Sequence, residues 1–415
     1  MQVLLKNAHL YEGISKSRVQ DILLRNGHIE AIGDQIPLPR GADLRESTNL
    51  CVSPGWLDIG VYAADPGYEH REDLTTAAAA AAAGGFTAMA CFPNTDPALH
   101  TKSEILYVKN KAKELPVHCF PIGAVSHDCE GKDLAELFDM HAAGAVAFSD
   151  GKRSVQDAGL LLRALQYAKA FDGLIINVPH HKTIAAGGQM HEGVMSTSLG
   201  LKGLPALAEE LMVQRDLSLL EYSESRLHIH LISTAKSVAL VRAAKQAGLR
   251  VSCSVAVANL CFSEEKLAEF DSNWKIVPPL RGSSDADALL EGLADGTIDF
   301  ICSNHSPWHK EAKNLEFTYA DFGMIGLETV FPLCRTFLSK KLTINDLVEK
   351  MSLAPRRVLG LPIPRIAQGE RAELTIFDPD IEWVLEEKNI RSKSSNTPFI
   401  GQKLKGKVLG VISGK

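Results

Sequence analysis

Histidine is the residue type in this chain that most invites a chemical reading. There are 14 histidines, and neutral imidazole is the commonest protein ligand for zinc-like ions. His228-Ile229-His230 is the only H-x-H, a spacing that lets both rings leave one face of a strand toward a shared metal. His180, His230 and His305 would make a rearranged mononuclear site if the fold gathered them. Periodicity around the H-x-H leaves two directions open: Leu227, Ile229 and Leu231 face inward, or the two histidines do. Asp58, Asn94, Asp150 and Arg281 are the other polar residues beside apolar runs, suited to ligand contacts or to structural hydrogen bonds. The eight cysteines contain no C-x-x-C pair, so there is no zinc-ribbon or thioredoxin signal. Several sit in apolar runs such as MACF and FICS, where a free thiol acts as a small hydrophobe; this fits a reducing cytoplasm.

The elements that must position these residues show two rhythms. Val3–Leu5, Ile22–Leu24 and Ile29–Ile32 read as short strands, and Glu373–Phe377 and Lys407–Ile412 repeat the pattern at the other end. Residues 1–52 and 366–415 are therefore expected to build one small β domain from both termini. Between them, over 53–365, apolar strands alternate with helical patterns. The strands are Trp56–Tyr62, Ala88–Phe92, Val117–Ile122, Ala145–Phe148, Leu174–Val178, His228–Ile232, Arg250–Ser254 and Phe300–Ser303. Such alternation predicts a parallel sheet, and eight units predict a (β/α)8 TIM barrel; a doubly wound open sheet is the competing architecture. The Ala77–Ala83 run predicts a helix packed close to the sheet and ended by Gly84-Gly85.

Composition limits the function classes. Lys plus Arg is 44 against 50 Asp plus Glu, a net charge of −6, with 45% hydrophobic and 23% charged residues. That balance supports a large core and gives no general field for nucleic acid. No stretch has the roughly 20 apolar residues that cross a bilayer, and the first residues do not read as a signal peptide.

The segment PGWLDIGVYAADPGYEHREDLTTAAAAAAAGGFTAMACFPNTDP (Pro54–Pro97) resembles the opening of type I dihydroorotases of the amidohydrolase superfamily. The resemblance continues through GAVAFSDG (Gly144–Gly151), LGLKGLPALAEELM (Leu199–Met212), PPLR (Pro278–Arg281), LLEGLADGTIDFICSNHSP (Leu289–Pro307), FGMIGLET (Phe322–Thr329) and SKSSNTPFIGQKLKGKV (Ser392–Val408). It implies a metal-dependent hydrolase barrel with a small β-sandwich domain. It also implies two divalent metals, zinc in active relatives, that polarise an amide carbonyl and activate a bridging water.

Measured against that resemblance, the site positions are altered. Gly60 and Tyr62 stand where the family has its first H-x-H, and Ala64 where it has the arginine for the substrate carboxylate. Only Asp150 precedes Gly151, in place of two adjacent aspartates. Val178 takes the fifth-strand histidine position, counted back from Gly187-Gly188, unless a deletion brings His180 or His181, two and three residues later, into it; Leu231 takes the sixth-strand one. Asn304 replaces the aspartate of the eighth strand and cannot exchange a proton near neutral pH. Val277 replaces an asparagine, and Tyr62 and Trp308 are expected to fill space that metals and substrate would occupy.

Three functions are then in view. The first is a catalytically silent dihydroorotase-like protein of pyrimidine biosynthesis that binds no zinc, forms a homodimer and serves assembly with aspartate transcarbamoylase, as the resemblance implies. The second is an active cyclic-amide hydrolase with a rearranged metal site. The third is a metabolite sensor using Asn94, Asp58 and Arg281.

Overall fold

The computed structural model describes residues 2–13 and 17–414. The chain opens with β1 (Gln2–Leu10), β2 (Arg18–Arg25), β3 (His28–Gly33), β4 (Asp43–Arg45) and β5 (Cys51–Pro54). Asn26 and Gly27, with φ of 49° and 77°, turn β2 into β3, the left-handed pair that a tight hairpin requires.

The barrel follows. β6 (Trp56–Val61), β7 (Phe86–Cys91) and β8 (His118–Pro121) pair in parallel, as do β9 (Ile175–Asn177), β12 (Leu227–Ile229), β13 (Val251–Ala256) and β14 (Phe300–Cys302). Between β9 and β12 lies a two-stranded ribbon of β10 (Met190–His191) and β11 (Gly203–Leu204). The strand expected at Ala145–Phe148 is reduced to single parallel bridges from Phe148 to Gly123 and to Ile175. Its backbone still bonds both neighbours, through Val146 N–H to Pro121 O and Ile176 N–H to Phe148 O, so the ring is continuous there. The seam between the eighth strand and the first joins side chain and backbone: Ser303 N–H donates to Asp58 Oδ1 at 3.0 Å, the Ser303 hydroxyl donates to the other carboxylate oxygen, and Tyr62 N–H donates to His305 O at 3.2 Å.

Alternation along the strands makes two layers. Leu57, Ile59, Phe92, Ile176 and Phe300 fill the barrel interior. Outside it, the helix Leu74–Ala83 buries Ala77, Ala78, Ala80 and Ala81 completely, because methyl side chains let its axis come close to the strands. The Asp73 carboxylate accepts from Thr75 N–H and Thr76 N–H and caps it. At its end, a Cβ on Gly84 would lie 2.0 Å from Leu327 O, so only glycine fits.

The chain returns as β15 (Leu374–Val384) and β16 (Lys403–Ile412), which complete a seven-stranded sheet in the order β16-β15-β5-β1-β2-β3 with β4 beside β1. Trp56, at the start of the first barrel strand, packs on Phe331 and on Phe377 of β15, with centroids 5.2 and 5.4 Å apart, and so joins this sheet to the barrel. Among the described residues no helix is long and apolar enough to cross a membrane.

Candidate functional site at the barrel mouth

The C-terminal ends of the barrel strands converge on an inner cavity of about 220 Å³, lined by Tyr62, Lys152, Val178, His230, Leu231 and Asn304 among others. The first strand contributes least chemistry. Gly60 has φ +90°, and a Cβ there would lie 2.5 Å from His230 Nε2 and 2.8 Å from the Phe92 ring. Tyr62 packs against Phe92 at 5.2 Å, and burial raises its pKa, so it stays a neutral phenol. Ala64 lies in the wall of the outer mouth and offers no charge.

The histidine pair points inward, one of the two directions that periodicity left open. His228 stacks on Phe300 at 4.9 Å and bonds with Ser252 Oγ and Ser254 Oγ at 2.8 and 3.0 Å. His230 meets Ser254 Oγ through Nδ1 at 3.1 Å and sets its edge on Phe92. Leu231 faces the same cavity as His230 because the strand ends at Ile229 and Leu231 takes φ +60°. Period-two alternation therefore ends two residues before Leu231 and does not orient it. Burial pushes His230 down to about 3 and His228 well below the usual histidine range, so both are neutral at pH 7.

The carboxylates are committed to the backbone. Asp150 Oδ1 accepts from Val125 N–H and Ser126 N–H, both at 2.9 Å, and its other oxygen accepts from the Ser126 hydroxyl. Burial nevertheless raises Asp150 to about 6. Asp58, also raised to about 6 by burial, holds the strand closure described above. Asn94 spends its amide on Asp150 O at 2.9 Å and on Lys152 N–H at 3.0 Å. Asn304, with φ +53°, donates to Val277 O.

Two sequence-selected residues lie away from the mouth. His305 is fully buried, accepts from Gly326 N–H through Nδ1, and turns Nε2 toward Glu72 Oε2 at 3.4 Å. His180 and His230 share the inner cavity, but His305 does not line it. Arg281 is buried among Ser233 Oγ, Leu204 O, His191 Nδ1 and Glu209, the last at 3.6 Å. It braces the ribbon and lines none of the cavities at the mouth.

A zinc pair does not fit these residues. Glycine, phenol, valine and leucine occupy the strand-end positions, and the one buried histidine there faces the Gly60 backbone. Among the described residues no three His, Cys, Asp or Glu side chains are grouped to hold a metal ion.

Sequence reading missed the cations. The Lys152 ammonium lies 4.2 Å from the Tyr62 ring centroid and 5.3 Å from that of Trp308, and it donates to Ser306 Oγ at 2.8 Å. Arg71 covers the same indole at 4.0 Å and Tyr68 at 4.8 Å. Lys152 is exposed as a residue, which tempers the effect, yet desolvation followed by the nearby Arg71 charge lowers its pKa to about 8. Their place on loops after the first and fourth strands was the available signal.

A profile described as dihydro-orotase-like matches residues 50–237. The protein named Dihydroorotase from Acetivibrio thermocellus is 41% identical over 410 residues, covering 98% of this chain and 96% of that protein. Its namesake from Pelotomaculum thermopropionicum is 42% identical over 417 residues, covering 100% and 97%. Among solved structures, an L-hydantoinase (dihydropyrimidinase) from Arthrobacter aurescens superposes with a TM-score of 0.86 at 26% identity, covering 99% of this chain and 94% of that one. Dihydropyrimidinase from Brevibacillus agri shares the fold, with a TM-score of 0.84 at 21% identity. With relatives of this identity along its whole length and a matching profile over residues 50–237, the chain belongs to the dihydroorotase-like family.

Proposed function

We propose that this protein serves pyrimidine biosynthesis as a dihydroorotase-like subunit whose own barrel does not hydrolyse a cyclic amide. On this reading it is a cytoplasmic homodimer with a structural part in an assembly with aspartate transcarbamoylase. One observation carries the reading: the His230 ring occupies the space that a side chain at position 60 would need, so the first-strand ligand position is closed as well as unfilled. The supporting chemistry is consistent at each strand end. The carboxylate and amide positions offer no free base, since Asp58 and Asp150 are held by Ser303 and by the Val125–Ser126 backbone and Asn304 cannot exchange a proton; the neutral rings of His180 and His230 are the bases that remain in the inner cavity.

The second reading is an active hydrolase of dihydroorotate or a related cyclic amide. The names of the full-length relatives favour it, and on names alone it stands ahead of the first. A steady-state assay with dihydroorotate separates the two. The first reading expects no turnover above a blank, with or without added zinc; turnover that a Tyr62→Ala or His230→Ala substitution abolishes would establish the second. Co-elution with aspartate transcarbamoylase in size-exclusion chromatography tests the assembly role, and separate elution at micromolar concentrations contradicts it.

A further inference from the structure

We propose that the outer barrel mouth binds a small oxyanion-bearing molecule, a phosphomonoester or a dicarboxylate, through Arg71, Lys152 and Arg153. The three cations line one cavity of about 220 Å³ together with Asn94, Thr95 and Trp308. Among the described residues none of the three forms an ion pair with a carboxylate, although 24 other Lys or Arg contacts with carboxylates occur there. Asp128 is the one acidic residue in the cavity wall, and its carboxylate lies 3.2 Å from His100 Nδ1. The field of Asp321 reaches Arg71 and Lys152 without an ion pair to either.

Like charges kept together with no carboxylate in direct contact cost free energy that the more distant Asp321 offsets only in part, and a bound anion lowers that cost. The cations are also held in place before any ligand arrives. Lys152 is fixed by Ser306 Oγ and the Tyr62 face, Arg71 by the Trp308 face, and Arg153 by donation to Asp128 O at 3.0 Å. A second cavity of about 510 Å³ shares Lys152 and Arg153 and adds Lys182 and the ion pair Lys132–Glu130, so room exists for the remainder of an organic anion. This is not the carboxylate contact implied by family resemblance. That contact needs a cation at position 64, which is alanine, and a free amide at Asn94, which is already bonded to Asp150 O and Lys152 N–H.

Isothermal titration calorimetry with inorganic phosphate and, separately, with succinate at low ionic strength tests the proposal on the full chain. The expected result is saturable binding of at least one anion to one site per chain. That binding should weaken at least tenfold in Lys152→Met and in Arg71→Gln and survive in Lys152→Arg. Phosphate alone or succinate alone assigns the class and supports the site. Arg153→Gln, at an exposed position, serves as a further loss variant should either of the others melt early by circular dichroism. No saturable binding of either anion, or binding unchanged in the folded variants, overturns the proposal. Because the readout is binding, its failure is distinct from any result of the hydrolysis assay.

Discussion

A Cβ placed on Gly60 would approach His230 Nε2 to 2.5 Å. The close approach explains two features of the mouth at once. The first strand carries no side chain at that point, and the histidine of the sixth strand is buried, neutral and turned to Phe92 and Ser254. The backbone reinforces the choice, since φ +90° at Gly60 is costly for any residue with a Cβ.

Gly60→Ala should therefore destabilise the fold by about 2–4 kcal/mol, as strain and overpacking add. Removing the ring in the double variant Gly60→Ala/His230→Ala should recover part of that loss, a non-additive result that urea unfolding can measure. Simple additivity would mean that the two positions do not compete for space.

Asp58 and Asp150 carry a pH signature. Burial raises each from the ordinary 3.8 to about 6. A carboxyl with a raised folded-state pKa contributes stability that is fully present below about pH 4 and is lost as pH rises through about 6. Each group should steepen that loss by up to roughly 1.4 kcal/mol per pH unit within the window. Asp58→Asn and Asp150→Asn should each flatten the difference profile between pH 4 and 6, read from thermal melts. A variant profile parallel to wild type would contradict the assignment.

Asp58→Ala is expected to behave differently from Asp58→Asn. It leaves the Ser303 N–H and the Ser303 hydroxyl proton without acceptors at the seam between the first and eighth strands, while Ser303 Oγ still accepts from His305 N–H at 3.0 Å. The cost should be about 2–4 kcal/mol, for two buried polar groups. Equal stability of the two variants would show that the seam does not depend on this side chain.

Arg281→Met should lower stability by about 3–5 kcal/mol, because Glu209 would keep a buried charge without its guanidinium. Anion binding at the mouth should be unchanged in the folded fraction, as Arg281 lines no cavity there. A selective loss of binding with normal stability would restore Arg281 as a ligand contact.

Much of the architecture was legible in sequence because it rests on local periodicity. Seven barrel strands and the Ala-rich helix appear where apolar runs and glycine stops place them. The Ala145–Phe148 segment differs because it is bonded at single bridges, which leaves little period to read. Alternation left the direction of His228 and His230 open, and it could not show that Leu231 faces the same cavity as His230, because the backbone has already left the strand there. Arg281 looked like a pocket residue within PPLR, but its partners Glu209, Leu204 and His191 come from distant segments. Arg71, Lys152 and Trp308 meet only through the barrel's closure, so no local pattern marks the cluster.

The central claim is that the barrel mouth does not hold the family's metals. Metal content by inductively coupled plasma mass spectrometry, on protein incubated with zinc and then desalted, tests it most directly when paired with the melting temperature before and after chelation. The account predicts well under one zinc per chain and the same melting temperature in both conditions. One or two zinc ions per chain, lost on chelation together with stability and absent from His230→Ala, would contradict it.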